Sequence, residues 1–123
     1  MKYTMPQEVE VWYLIPSLRR ELAKMFISVH GLSQKETAGI LGITESAISQ
    51  YLNSKRAKEM RFSAKDITII KKAAADIVKD RGNIREHLYR LCLQFKGSKA
   101  LCDVHQEHDP TVPKDCNLCA NYH

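Results

Sequence analysis

The stretch that decides the fold is Gln34–Asn53, QKETAGILGITESAISQYLN. Ser33 stands just ahead of it, and Glu36 follows three residues later, an S-x-x-E capping box that starts a helix. Ala38 is small enough for a second helix to pack closely over it. Gly42 falls where the chain must turn sharply, a place suited to positive φ. Ile43 then enters the core, and Thr44 can cap the second helix. In that helix Ile48 with Tyr51 or Leu52 keeps the inward spacing. Glu45, Ser46, Ser49, Gln50 and Asn53 are left outward, all polar and able to reach base edges in a major groove. The pattern predicts a helix-turn-helix that binds double-stranded DNA. An ordinary helical hairpin with a glycine cap is the bland alternative. It has no use for SAISQ on a solvent face followed by Lys55, Arg56, Lys58 and Arg61.

GLSQKETAGILGITESAISQYLNSKR, residues 31–56, resembles the helix-turn-helix of lambda-repressor-like (XRE-type) regulators. With VWYLIPSLRRELAKMF ahead of it and a cysteine-rich tail behind, the layout is similar to a group of small archaeal transcriptional regulators. The resemblance implies operator recognition and a tail that holds a metal or an iron–sulfur cluster.

Outward from the motif, the chain reads as all-α. Of its 123 residues 44% are apolar, enough for a core, while few aromatics, glycines and prolines argue against a β-sandwich. Residues 7–30 read as mostly helical, with a stripe of Trp12, Ile15, Leu18, Leu22, Met25 or Phe26, and Val29. Pro16 either begins or kinks this helix, and VEVWYLI could instead be a short strand. Ser63 and Asp66 cap a helix over 64–81 that Gly82 ends, with Ile67, Ile70, Ala74, Ile77 and Val78 inward. A further helix over 84–96 turns Leu88, Leu91, Cys92 and Phe95 inward, and Gly97 closes it. The segment 98–123 shows little periodicity and is broken by Pro110 and Pro113. The expected organisation is a DNA-binding part over 1–62, a helical dimerisation or linker region over 63–97, and a cysteine-rich segment over 98–123 that recruits Cys92.

The formal net charge is +5. From Ser17 to Phe62 eight Lys or Arg face four Asp or Glu, and the same holds from Ser63 to Gly97; after Ser98 the count is two against four. The basic surface therefore lies on the helical part, which suits a polyanion there and not at the tail. Gln34, Lys35 and Thr44 at the helix starts, with Lys55, Arg56 and Lys58 beyond the second helix, complete the expected DNA-contacting set. No run of eighteen apolar residues exists, and Glu8 and Glu10 interrupt any secretory leader, so a cytoplasmic protein is expected. No catalytic motif stands out: there is no G-x-S-x-G and no P-loop, and Asp76 and Asp80 beside Lys79 and Arg81 form an ordinary solvated face. An enzyme is not expected.

All four cysteines lie in the last third, spaced C-x9-C-x13-C-x2-C at Cys92, Cys102, Cys116 and Cys119. In a reducing compartment such a set points to metal. Cys116 and Cys119 have the bite of a metal knuckle. Either Cys92 and Cys102 complete a four-thiolate site, or Cys102 and His105 complete a Cys₃His site. Four thiolates suit zinc or a four-iron, four-sulfur cluster; Cys₃His suits zinc. The family resemblance leans toward iron–sulfur, and hence toward Cys92. Cys92 also reads as plain core, His105 as a solvated histidine, and His108 and His123 as surface. A thiol redox pair at C-x-x-C is a further reading, set back by the lack of a βαβ pattern and of a following helix to lower a thiol pKa. The function expected is a homodimeric DNA-binding regulator whose cysteine site reports redox or metal status. A DNA-binding adaptor with purely structural zinc and a thiol redox protein stand as alternatives.

Overall fold

The computed structural model describes residues 3–53 and 60–122. Every element among them is helical. Helix α1 (Pro6–Val9) runs through a π-helical turn (Glu10–Leu14) into α2 (Ile15–Ser28). Then follow α3 (Gln34–Leu41), α4 (Glu45–Asn53), α5 (Ala64–Lys79), a 3₁₀ turn (Arg81–Asn83), α6 (Ile84–Phe95), α7 (Lys99–His108) and α8 (Leu118–Asn121).

The π turn has a cause in the sequence. Pro16 has no N–H, and its ring would strike the carbonyl four residues back in a regular helix. Just before it, the Ile15 N–H donates to the Glu10 carbonyl, five residues back, so the turn is widened by one residue. The widening shifts the inward face. Val9 is followed by Leu14, five on, and then by Leu18, Leu22 and Phe26 at regular intervals of four; all five are fully buried. The expected stripe is corrected here: Trp12 is 49% exposed and Val29 54%. The strand alternative for VEVWYLI is corrected too, since that stretch is helix throughout.

Helix α2 is central and packs against α3, α4, α5 and α6. The stripes of α5 (Ile70, Ala74, Ile77) and α6 (Leu91, Phe95) are buried as the spacing requires. Helix α5 ends at Lys79, not at 81. Asp80 breaks it with φ −140°, and Gly82 lies inside the 3₁₀ turn instead of capping the helix. The Asp80 carboxylate accepts from Asn83 Nδ2 at 2.7 Å and pairs with His87 Nε2 at 3.0 Å, which holds the corner.

The segment after Ser98 is less irregular than its sequence suggests. Ser98 caps α7, and Ala100, Leu101 and Val104 are buried. This short stripe docks α7 on α1 and the π turn, with His108 stacked on Tyr13 at 4.6 Å. One apolar core thus runs from Val9 to Val104.

Two glycines three residues apart lie in and just after α3. Gly42 has φ +69°, while Gly39 sits on the exposed side of the helix with open space where a Cβ would go. Gly39→Ala should therefore stabilise the fold by about 0.5–1 kcal/mol, and Gly42→Ala should destabilise it by about 1–2 kcal/mol. Urea unfolding of the two variants measures both signs.

Candidate nucleic-acid interface and candidate metal pocket

The first candidate site is the α3–α4 pair. The capping box at its start is formed: the Glu36 N–H donates to Ser33 Oγ at 3.0 Å and the Ser33 N–H to Glu36 Oε1 at 3.3 Å. That second bond, with help from Arg81 Nη1 at 3.6 Å, holds the Glu36 carboxyl below its ordinary pKa. At the turn, Gly42 is left-handed and its N–H donates to the Ala38 carbonyl, as does that of Ile43. Thr44 Oγ1 accepts from the Ala47 N–H at 3.1 Å and so caps α4. Ala38 and Ile48 are buried where the two helices cross.

Thr44, Glu45, Ser46, Gln50 and Asn53 are exposed along α4, and Gln34 and Lys35 are exposed at the start of α3. Ser49 is half-buried. Its hydroxyl donates to Gln34 Oε1 at 3.1 Å, so these two are coupled across the motif. Asn53 Nδ2 donates to the Ser49 carbonyl at 3.0 Å, closing the last turn. Lys55, Arg56 and Lys58 lie outside the described residues. Sequence reading missed Arg20: its Nε donates to the Tyr51 carbonyl at 3.0 Å, tying the end of α4 to α2. Thirty-one residues separate the two, and no local spacing signals the bond.

The second candidate site is a pocket between α7 and the 113–120 turn. Cys102 and His105 stand one helical turn apart on α7 and line it; Cys116 and Cys119 line it from the other side, with Pro6 and Gly97. Its cavity of about 50 Å³ has room for an ion and not for a drug-sized ligand. The Cys116 N–H donates to the Pro113 carbonyl at 3.1 Å, and Gln106 Nε2 reaches the Pro113 and Lys114 carbonyls, so α7 holds the turn that carries Cys116. Gly97 has φ +75°, and a Cβ there would stand 3.1 Å from Cys119 Cβ. The positive φ and the tight approach both favour glycine here.

Burial pushes the Cys102 thiol above its ordinary pKa, and the neighbouring Cys119 and Cys116 push it further. Cys119 is raised by burial and by Cys116, against the pull of Lys96. Three thiols thus act on one another. Cys92 does not line the pocket: it packs against the core, raised by burial and by Glu10, which also acts on Cys119, with Arg19 opposing. Among the described residues no three His, Cys, Asp or Glu side chains converge tightly enough to bind one ion as they stand. The pocket gathers the donors, and ligation requires side chains to close inward. The expectation that no helix follows the C-x-x-C pair is corrected by the single turn α8, which leaves the Cys119 thiol raised all the same. No local pattern signals that His105 Nε2 meets the Thr4 carbonyl at 2.6 Å, or that the Thr4 N–H donates to Asp109 Oδ2 at 2.8 Å. Both backbone polar groups of Thr4 are held by α7 and its cap.

No family model, no curated protein and no solved structure matches this chain.

Asp109 is 3% exposed, and its pKa is lowered by the Thr111 hydroxyl first and by the Thr4 N–H second. A lowered folded pKa means that the Thr4 clamp stabilises the fold at all pH above the ordinary carboxylate range and is lost as pH falls through Asp109's depressed value. Asp109→Ala should abolish hydrogen-exchange protection of the Thr4 amide at neutral pH, and acid should do the same to the unaltered chain.

Proposed function

We propose that the chain is a sequence-specific DNA-binding transcriptional regulator that acts as a homodimer and carries a metal site in its tail. The observation that carries this reading is the surface of α4. Ser46 and Gln50 project from a helix that is capped at its start by Thr44, fixed at the turn by Gly42 and tied at its end by Arg20. A recognition helix needs this combination of short polar side chains outside and a rigid seat inside. The net positive charge of the helical part supports it. One helix of nine residues reads too few base pairs alone, so two copies are required. Helix α6 leaves Tyr89 65% and Leu93 42% exposed, one turn apart, and offers that apolar strip to a twin.

The gathering of Cys102, Cys116 and Cys119 supports a metal or an iron–sulfur cluster in the tail. The Cys119 thiol, raised by burial, speaks against a redox pair, which needs a thiolate at neutral pH. Among the described residues no helix is long and apolar enough to cross a membrane.

Gln50→Ala should weaken binding to the selected operator by about 1–3 kcal/mol and leave random DNA nearly unaffected. Neutralising Lys55 and Arg56 together should weaken both and flatten the salt slope by about two units. Fluorescence anisotropy on operator and scrambled duplexes over a salt series measures this. Equal loss on both duplexes for Gln50→Ala would remove base readout from the reading.

A further inference from the structure

We infer that the pocket is a zinc site formed by Cys102, His105, Cys116 and Cys119, with His105 ligating through Nδ1 and Cys92 left out. The inference rests on the reading of the tail as a metal site and identifies its ligands and its ion.

Three observations carry it. His105 lines the same pocket as the three cysteines, and Cys92 is not among the lining residues. Cys92 instead is half-buried and packs against the apolar core. The third observation concerns the imidazole. The Thr4 carbonyl can only accept, so Nε2 at 2.6 Å from it must carry the proton. In the neutral ring the lone pair then belongs to Nδ1. A metal-binding histidine commonly donates its other N–H to a backbone carbonyl, which fixes the tautomer and raises the basicity of the ligating nitrogen. The Thr4 carbonyl is placed to do this. Spacing agrees: Cys102 and His105 share one face of α7 at i, i+3, and Cys116 and Cys119 face them across the turn that Gly97 lets approach. Three thiolates and one imidazole match the tetrahedral preference of zinc. Thr4 thereby becomes an outer partner of the ion, and its N–H is held by Asp109 in turn.

The test uses the full chain, purified without oxygen and loaded with Zn²⁺ or Co²⁺. One ion per chain is expected, with cobalt d–d bands of an S₃N site and no broad absorption near 400 nm. Cys92→Ser should keep the ion and the spectrum. His105→Ala should weaken zinc binding by at least about 10–100-fold. His105→Cys keeps a fourth ligand, so it should retain cobalt and shift its bands to those of an S₄ site, even if His105→Ala folds poorly. Loss of the ion in Cys92→Ser, an unshifted cobalt spectrum in His105→Cys, or an iron–sulfur spectrum in the unaltered protein would each overturn the ligand set. Retention of metal by the Cys116→Ser, Cys119→Ser double variant would overturn the metal reading itself. Operator binding, measured on the same samples, reports separately on the DNA reading.

Discussion

The widened turn ahead of Pro16 is the constraint on which the rest of the structure depends. Without it the helix from Pro6 to Ser28 would keep one phase, and Val9 could not share a face with Leu18, Leu22 and Phe26. With it, the residues before Pro16 and those after it point into the same core. The first part of that helix receives α7 and the tail, and the second receives α3, α4 and α5. A proline that removes one hydrogen bond thus sets the relation between the two candidate sites. Leu14, Leu18 and Phe26 at this seam are fully buried, and truncating any of them leaves a cavity in the core.

Local chemistry in this chain was legible, and contacts distant in sequence were not. Ser33 with Glu36, Gly42, Thr44, and Ser63 with Asp66 are short-range devices whose partners lie within four residues, and each is in place. The stripe of the first helix misled at Trp12 because a fixed 3.6-residue period cannot express an inserted residue. Gly82 misled because Asp80, with partners at Asn83 and His87, ends α5 before the glycine is reached. Helix α7 was missed because its stripe is only Ala100, Leu101 and Val104, and the cysteines and histidine between them carry the eye to chemistry. Asp109 and His105 gave no sign that they hold Thr4, more than a hundred residues away. The cysteine site was legible as a cluster, but its membership depends on which helix face turns where, and that is a tertiary fact.

The tail differs from a zinc-only appendage in how it is held. Three buried apolar residues dock α7 without any ion, while the turn carrying Cys116 and Cys119 is exposed and rests on two hydrogen bonds from Gln106. Burial of three such side chains is worth a few kcal/mol at most, set against the conformational entropy of ordering the turn. An ion would therefore act chiefly on the turn, closing it onto a helix that is already seated. That division matters for regulation. A ligand shifts a conformational equilibrium only by its difference in affinity between two states. If α7 keeps its seat in both, ion binding changes the turn alone and leaves α4 where it is.

A regulatory effect on α4 consequently requires a route that α7 shares with the DNA-binding part. The structure offers one continuous element: Thr4 and α1, the π turn, and α2, whose Arg20 reaches the Tyr51 carbonyl at the end of α4. His105 touches the start of that route directly through Thr4. The π turn interrupts the regular helix between Thr4 and the buried Leu18–Phe26 seam, so a pull on Thr4 meets it first. A pull would pass on to α2 only by returning the π turn to α-helical register. Pro16 opposes that return, because the regular register restores the clash its ring must avoid. The proline therefore favours a tail that is structurally coupled to the first helix and energetically insulated from α4. Such insulation suits a structural role for the proposed zinc site, and it comes from the same residue that sets the phase of the core.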